Sequence, residues 1–214
     1  MALAIHNVKG DGHCFYRCIW RIVRGDEATS EIIYLIDKID EDAGMQEIRD
    51  FVAIAVRRDY TLEDMMSSLL EFKKLNMDDM MEEHCPILEF IKPELSLRDN
   101  CEIMAIAIEN TSMYASSVEV EVIIRIFKEV NVGLVIVSWD TATEDKDDVS
   151  EKWLYQLQKK MAVTKEDKIC ILVNIDNIHY KFAMFRLQHI FQRSEFVEYI
   201  DQMLDDSNDS NDSD

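Results

Sequence analysis

The sequence predicts an α+β domain, layered in the manner of α/β folds, with a helix-rich first half and a small central sheet. Three observations predict it. Five Gly and two Pro in 214 residues are too few for long loops and many tight hairpins. Apolar residues recur at helical spacing through the first half. The strand-like runs of branched apolar residues come late, at Val132–Val137, Ile169–Ile175 and Ile178–Leu187.

Gly10 and Gly12 mark a tight loop near the start. From Cys14 the pattern turns helical, with Phe15, Cys18, Ile19, Ile22 and Val23 on one stripe and Arg17, Arg21 and Arg24 off it. Gly25 stops that helix. Further helices are expected over residues 30–40, with Ser30 as cap, and over 45–58, burying Ile48, Phe51, Val52, Ala55 and Val56. Thr61 and Asp64 open another, as a weak capping box. Residues 76–90 read as a Met-rich acidic helix broken at Pro86. Ser96 caps a helix to about Asn110, and Val118–Val130 follows with Val122, Ile123, Ile126 and Phe127 inward. Val132–Val137 is apolar throughout, as in a strand covered on both faces. Residues 140–151 are a polar loop. Ile169–Ile175 and Ile178–Leu187, joined at Asp176-Asn177, form an antiparallel hairpin. Ile190–Leu204 is a terminal helix. Asp205–Asp214 is low-complexity and acidic and has nothing to bury. The chain thus reads as one domain over 1–204 and a disordered tail over 205–214.

The net charge is −20, from 43 acidic and 23 basic residues. Phosphate backbones need clustered Lys and Arg, so nucleic acid is not the expected partner. An anionic membrane surface is disfavoured for the same reason. No segment reaches the roughly 20 apolar residues of a membrane helix, and Met1–Lys9 lacks the pattern of a secretory signal. Five widely spaced cysteines are expected as thiols in a reducing cytoplasm or nucleus. His84-Cys85 and His13-Cys14 lack the paired spacing of a zinc site, so neither metal nor cofactor is expected.

Cys14 follows the glycine loop and opens a helix. Helix N-terminal amides and dipole favour a thiolate there. The same amides, with the Gly12-His13 loop, can hold a developing oxyanion. Most unbridged cysteines are small buried hydrophobes, which is the ordinary reading of Cys18. A nucleophilic thiol needs a base, and His179 sits on a strand just past the last hairpin turn. The run Met77–Met81 reads as core rather than as an adaptable binding surface.

Asp11-Gly12-His13-Cys14-Phe15-Tyr16-Arg17 resembles the signature around the nucleophile of the ovarian tumour (OTU) family of cysteine proteases. Ile178-His179-Tyr180 and the alternating residues after it resemble that family's histidine strand. Met113-Tyr114-Ala115, Glu119–Phe127 and Asn131 to Val137 resemble its middle block, with Tyr114-Ala115 where Trp-Gly is usual. The resemblance spans about residues 6–187. It implies an OTU-like, papain-type fold and a deubiquitinase: a cysteine-type isopeptidase acting at the C-terminus of ubiquitin or polyubiquitin. It implies Cys14 as nucleophile, His179 as base, Gly12 and His13 as oxyanion loop, and Asp11 as support of that loop.

One residue departs from the pattern. Many members carry Asp or Asn two residues after the histidine to orient the imidazole; here it is Lys181, which cannot accept an N–H. The third catalytic residue is then Asn7, ahead of the nucleophile, or Asn174, across the hairpin, with Asp176 in the turn a further candidate, or it is missing. The alternatives are an inactive OTU-like module that binds ubiquitin or a partner, and a protease for a ubiquitin-like modifier. The implied state is a monomer in the cytoplasm, or in a host cytosol if the source is viral or bacterial.

Overall fold

The computed structural model describes residues 2–24, 40–58, 67, 70–71, 90–111, 114–139, 151–176 and 179–211, with side chains omitted at 151 and 206–211. The described residues form a mixed α+β domain of six helices and five strands. The helices are α1 (Cys14–Arg24), α2 (Glu41–Arg58), α3 (Leu97–Asn110), α4 (Ser117–Glu129), α5 (Glu151–Val163) and α6 (Arg193–Asn211). The strands are β1 (Leu3–His6), β2 (Val132–Trp139), β3 (Lys168–Ile175), β4 (His179–Phe185) and β5 (Phe191–Gln192).

The sheet order is β1-β4-β3-β2, and β5 pairs with the start of β3. β2 and β3 run parallel, Val132 opposite Lys168. A parallel pair needs a crossover, and α5 supplies it. The other pairings are antiparallel. Ile175 faces His179 across the β3–β4 hairpin, and His6 faces Phe182 between β1 and β4.

Both faces of the sheet are covered. On one, Cys170, Leu172, Tyr180 and Phe182 pack with Phe15, Ile19, Val52, Met104 and Phe127 from α1–α4. On the other, Val135, Val137, Ile171, Val173 and Phe185 pack with Trp153 and Leu157 of α5 and Phe196 and Ile200 of α6. This two-sided burial explains why β2 and β3 are apolar throughout rather than alternating.

The expected helices at 14–24, 45–58, 96–110 and 118–130 and the hairpin at 169–187 correspond to α1, α2, α3, α4 and β3–β4. α2 begins at Glu41, where acidic Glu41 and Asp42 suit the helix N-terminus. Ser96 caps α3 by accepting from the Asp99 amide at 3.2 Å. The elements expected over 30–40, from Thr61, and over 76–90 lie almost wholly outside the described residues, as do Asn177 and the expected loop 140–151 up to residue 150, while Glu151 already belongs to α5.

Three elements differ from the sequence reading. β1 was not anticipated: it is four residues long and is a strand because β4 offers it an edge. α5 was not anticipated either, although Trp153, Leu154, Leu157 and Met161 are all buried at helical spacing. The terminal helix starts at Arg193 rather than at Ile190, because Phe191 and Gln192 are taken by β5. It also runs past Leu204 to Asn211, into the stretch whose composition predicts disorder. Leu204 is the last buried anchor, and extending an anchored helix adds a bond per residue fixed.

Phe185 is fully buried, with ring centroids 5.4, 5.2 and 5.1 Å from Phe191, Phe196 and Tyr199. Phe185→Ala should therefore lower stability by about 3–5 kcal/mol in urea unfolding. A loss below about 1 kcal/mol would mean this cluster does not hold α6 to the sheet.

Candidate active site

The site forms where the segment from β1 to α1 crosses the start of β4. Gly12 has φ 83°, a conformation open chiefly to glycine. That turn feeds directly into α1, whose first residue is Cys14. The thiol is 1 % exposed. The backbone N–H of Tyr180 donates to Cys14 Sγ at 3.3 Å. The amide on the sulfur thus belongs to the residue that follows His179.

His179 is half-buried and its Nε2 lies 2.9 Å from Oδ1 of Asn7. An amide oxygen only accepts, so this contact selects the tautomer with hydrogen on Nε2. Nδ1 is then the basic nitrogen. It lies on the Gly10 side: a Cβ built on Gly10 would sit 3.5 Å from Nδ1 and 3.6 Å from Cε1. Glycine at that position leaves the basic edge of the ring uncrowded.

The other candidate for the third residue is placed elsewhere. Asn174 lies opposite Tyr180 in the hairpin register, whereas Ile175 lies opposite His179. Cross-strand partners share a face and neighbours along a strand do not, so Asn174 cannot face His179. Its Nδ2 donates instead to the Tyr180 hydroxyl at 3.5 Å. Asp176 sits in the turn with φ 49°, its backbone N–H donating to the Trp139 carbonyl at 2.9 Å. Lys181 shares the His179 face but stands opposite Val173.

Asp11 organises the loop. Its Oδ1 accepts the His13 backbone N–H at 3.1 Å and its Oδ2 accepts from Arg17 at 2.8 Å. Burial pushes the Asp11 carboxyl up, but Arg17, the His13 amide and Lys9 outweigh it and hold it well below the usual carboxylate range. In this structure the His13 amide, expected from the sequence in the oxyanion loop, is held by Asp11.

Arg17 also departs from the sequence reading. It was expected off the buried stripe of α1 but is 6 % exposed. It pairs with Asp11 at 2.8 Å, Glu41 at 3.3 Å and Asp42 at 2.7 Å. Three carboxylates compensate the burial of one guanidinium. Beneath the loop lies a network that sequence reasoning missed. Arg49 of α2 is 1 % exposed and Glu119 of α4 is fully buried. The Tyr16 hydroxyl donates to Glu119, whose other oxygen accepts the Ser116 amide. Ser116 and Glu119 have the spacing of a capping box, the one sequence signal that pointed to a local partner for Glu119.

Burial pushes the Cys14 thiol up, opposed by the amides of Tyr180, Phe15 and Cys14. Burial and then the Lys181 charge push the His179 imidazole down. Both shifts favour the neutral forms, an un-ionised Cys14 thiol and an unprotonated His179 imidazole. Cys18 lies one turn on, and burial pushes its thiol well up, as for an inert core cysteine. Cys14, Cys18, Cys101 and Cys170 are unbridged. Among the described residues no His, Cys, Asp and Glu cluster could hold a metal ion, and no helix is long and apolar enough to cross a membrane.

No protein-family model, curated protein or solved structure matches the chain.

The neutral thiol predicts a pH profile for Cys14. A thiol with raised pKa ionises only as pH climbs, so alkylation by iodoacetamide should rise steadily from pH 6 to pH 9, by roughly tenfold per unit. Mass spectrometry of the alkylated Cys14 peptide checks this. A rate already at its plateau near pH 6 would contradict the neutral thiol.

Proposed function

We propose that the chain is a cysteine-type ubiquitin isopeptidase with an OTU-like, papain-type fold. The observation that carries the proposal is the contact of Asn7 Oδ1 with His179 Nε2 at 2.9 Å. It supplies the orienting acceptor that Lys181 cannot be. The reading is supported further by Cys14 at the head of α1, whose sulfur accepts the amide of Tyr180, the residue next to His179.

The reaction begins at the carbonyl of the ubiquitin C-terminal glycine, which is joined to a lysine side chain. His179 Nδ1 takes the Cys14 proton as Sγ attacks. Backbone donors at Gly12 and Cys14 hold the oxyanion. His179 returns the proton to the departing lysine amine, leaving a thioester. Water activated by His179 hydrolyses that thioester and regenerates the thiol. Asn7 keeps hydrogen on Nε2 throughout, so Nδ1 alone changes protonation. The net charge of −20 supports a substrate with a basic C-terminal segment, which ubiquitin has. Such an enzyme acts as a monomer in the cytosol.

A second reading is an inactive module that binds ubiquitin without cleaving it. The 1 % exposure of Cys14 favours it. A third is cleavage of a ubiquitin-like modifier by the same residues.

Ubiquitin carrying a C-terminal thiol-reactive warhead separates these readings. The proposal expects a covalent adduct of one ubiquitin that is lost in Cys14→Ala. Binding without adduct would favour the inactive module. Adduct with a ubiquitin-like protein alone would favour the third reading.

A further inference from the structure

The buried guanidinium of Arg49 has no part in the chemistry above, yet it touches the turn that presents the nucleophile. One of its terminal nitrogens lies 2.9 Å from His13 Nδ1. The same nitrogen donates to the carbonyl of Thr111, the residue that ends α3. The guanidinium carbon stands 4.6 Å from the centroid of the Tyr16 ring. Tyr16 in turn reaches Glu119, which holds the start of α4. One side chain from α2 thus joins the nucleophile loop, α1, the end of α3 and, through Tyr16, the head of α4.

A guanidinium donates and never accepts. His13 Nδ1 must therefore be an acceptor, and the ring is neutral with its hydrogen on Nε2. Protonating His13 would place two cations at hydrogen-bond distance. His13 is flanked by residues that the loop itself fixes: its amide is held by Asp11, and Gly12 and Cys14 are its neighbours in the chain. The ring is thus held by Arg49 and the backbone amide by Asp11.

We infer that Arg49 is a positioning residue for the nucleophile: by holding the His13 ring it fixes the Gly12–Cys14 turn against α1. The catalytic half of this inference rests on the proposed function; the tautomer of His13 does not. Burial, then the Arg49 charge, push the His13 imidazole down from its ordinary value, with Arg17 acting in the same direction and Asp11 and Asp42 against it. Misplacing a reacting group by about 1 Å can cost roughly 10²-fold in rate, so a loose turn should be felt in kcat.

Two measurements on the full chain test this. In long-range proton–nitrogen spectra of the imidazoles, His13 should be the Nε2–H tautomer at neutral pH and should titrate below the ordinary imidazole value. With a ubiquitin-derived fluorogenic amide, Arg49→Met should lose roughly 10²-fold in kcat, with KM within about twofold and Arg49→Lys recovering part of the loss. An Nδ1–H tautomer or an ordinary titration of His13 would overturn the inference, as would an Arg49→Met enzyme with unchanged kcat. If Arg49→Met does not fold, the wild-type His13 spectrum decides. Absence of turnover in the wild type would strike the isopeptidase reading and leave the His13 result standing.

Discussion

The antiparallel pairing of β1 with β4 is the constraint from which the site follows. β1 is only four residues long, but its register puts His6 opposite Phe182 and so delivers Asn7 to the end of β4 where His179 stands. The chain then turns back through Gly10 and Gly12 and enters α1 with Cys14 against the Tyr180 amide. Because side chains alternate along a strand, a slip of one residue in this register would invert every side chain of β1 and turn Leu3 out of the core. Burial of Leu3 on one sheet face thus fixes, at a distance, which residue meets the imidazole.

The second constraint is electrostatic. The loop before Cys14 is bound by charged groups on both sides. Arg17 gathers Asp11, Glu41 and Asp42 on the outer side. Arg49 and Glu119 lie buried beneath, linked through Tyr16. Burial raises the Glu119 carboxyl despite its hydrogen bonds to Tyr16 and Ser116. Removing one member of such a network leaves another buried without its partner, which costs far more than the intact set contributes. The buried arginines around the Cys14 loop are thus paired locally, within a chain whose net charge is −20.

The fold was legible where periodicity was strong. α1, α2, α3, α4 and the β3–β4 hairpin follow from apolar spacing and turn residues read along the chain. β1 was not legible, because four residues of mixed polarity become a strand only when another strand offers its edge. α5 carried a readable stripe in Trp153, Leu154, Leu157 and Met161, close behind the polar, acidic segment read as a surface loop. In the site, Cys14, His179 and Asp11 stood out as local motifs. Asn7 and Asn174 could not be separated by sequence, since the choice depends on which strand face each occupies. Arg49 was invisible for a different reason: a lone arginine on a helix reads as solvated, and its burial depends on Tyr16, His13 and Thr111 arriving from three other segments.

The central claim is that Asn7, and not Asn174, orients His179 toward Cys14. The most direct test is the turnover of a ubiquitin conjugate by Asn7→Ala and Asn174→Ala, each normalised to the fraction of folded protein. The account predicts a fall in kcat on the order of 10²-fold for Asn7→Ala and a change within about twofold for Asn174→Ala. An active Asn7→Ala enzyme, or a loss confined to Asn174→Ala, would contradict it.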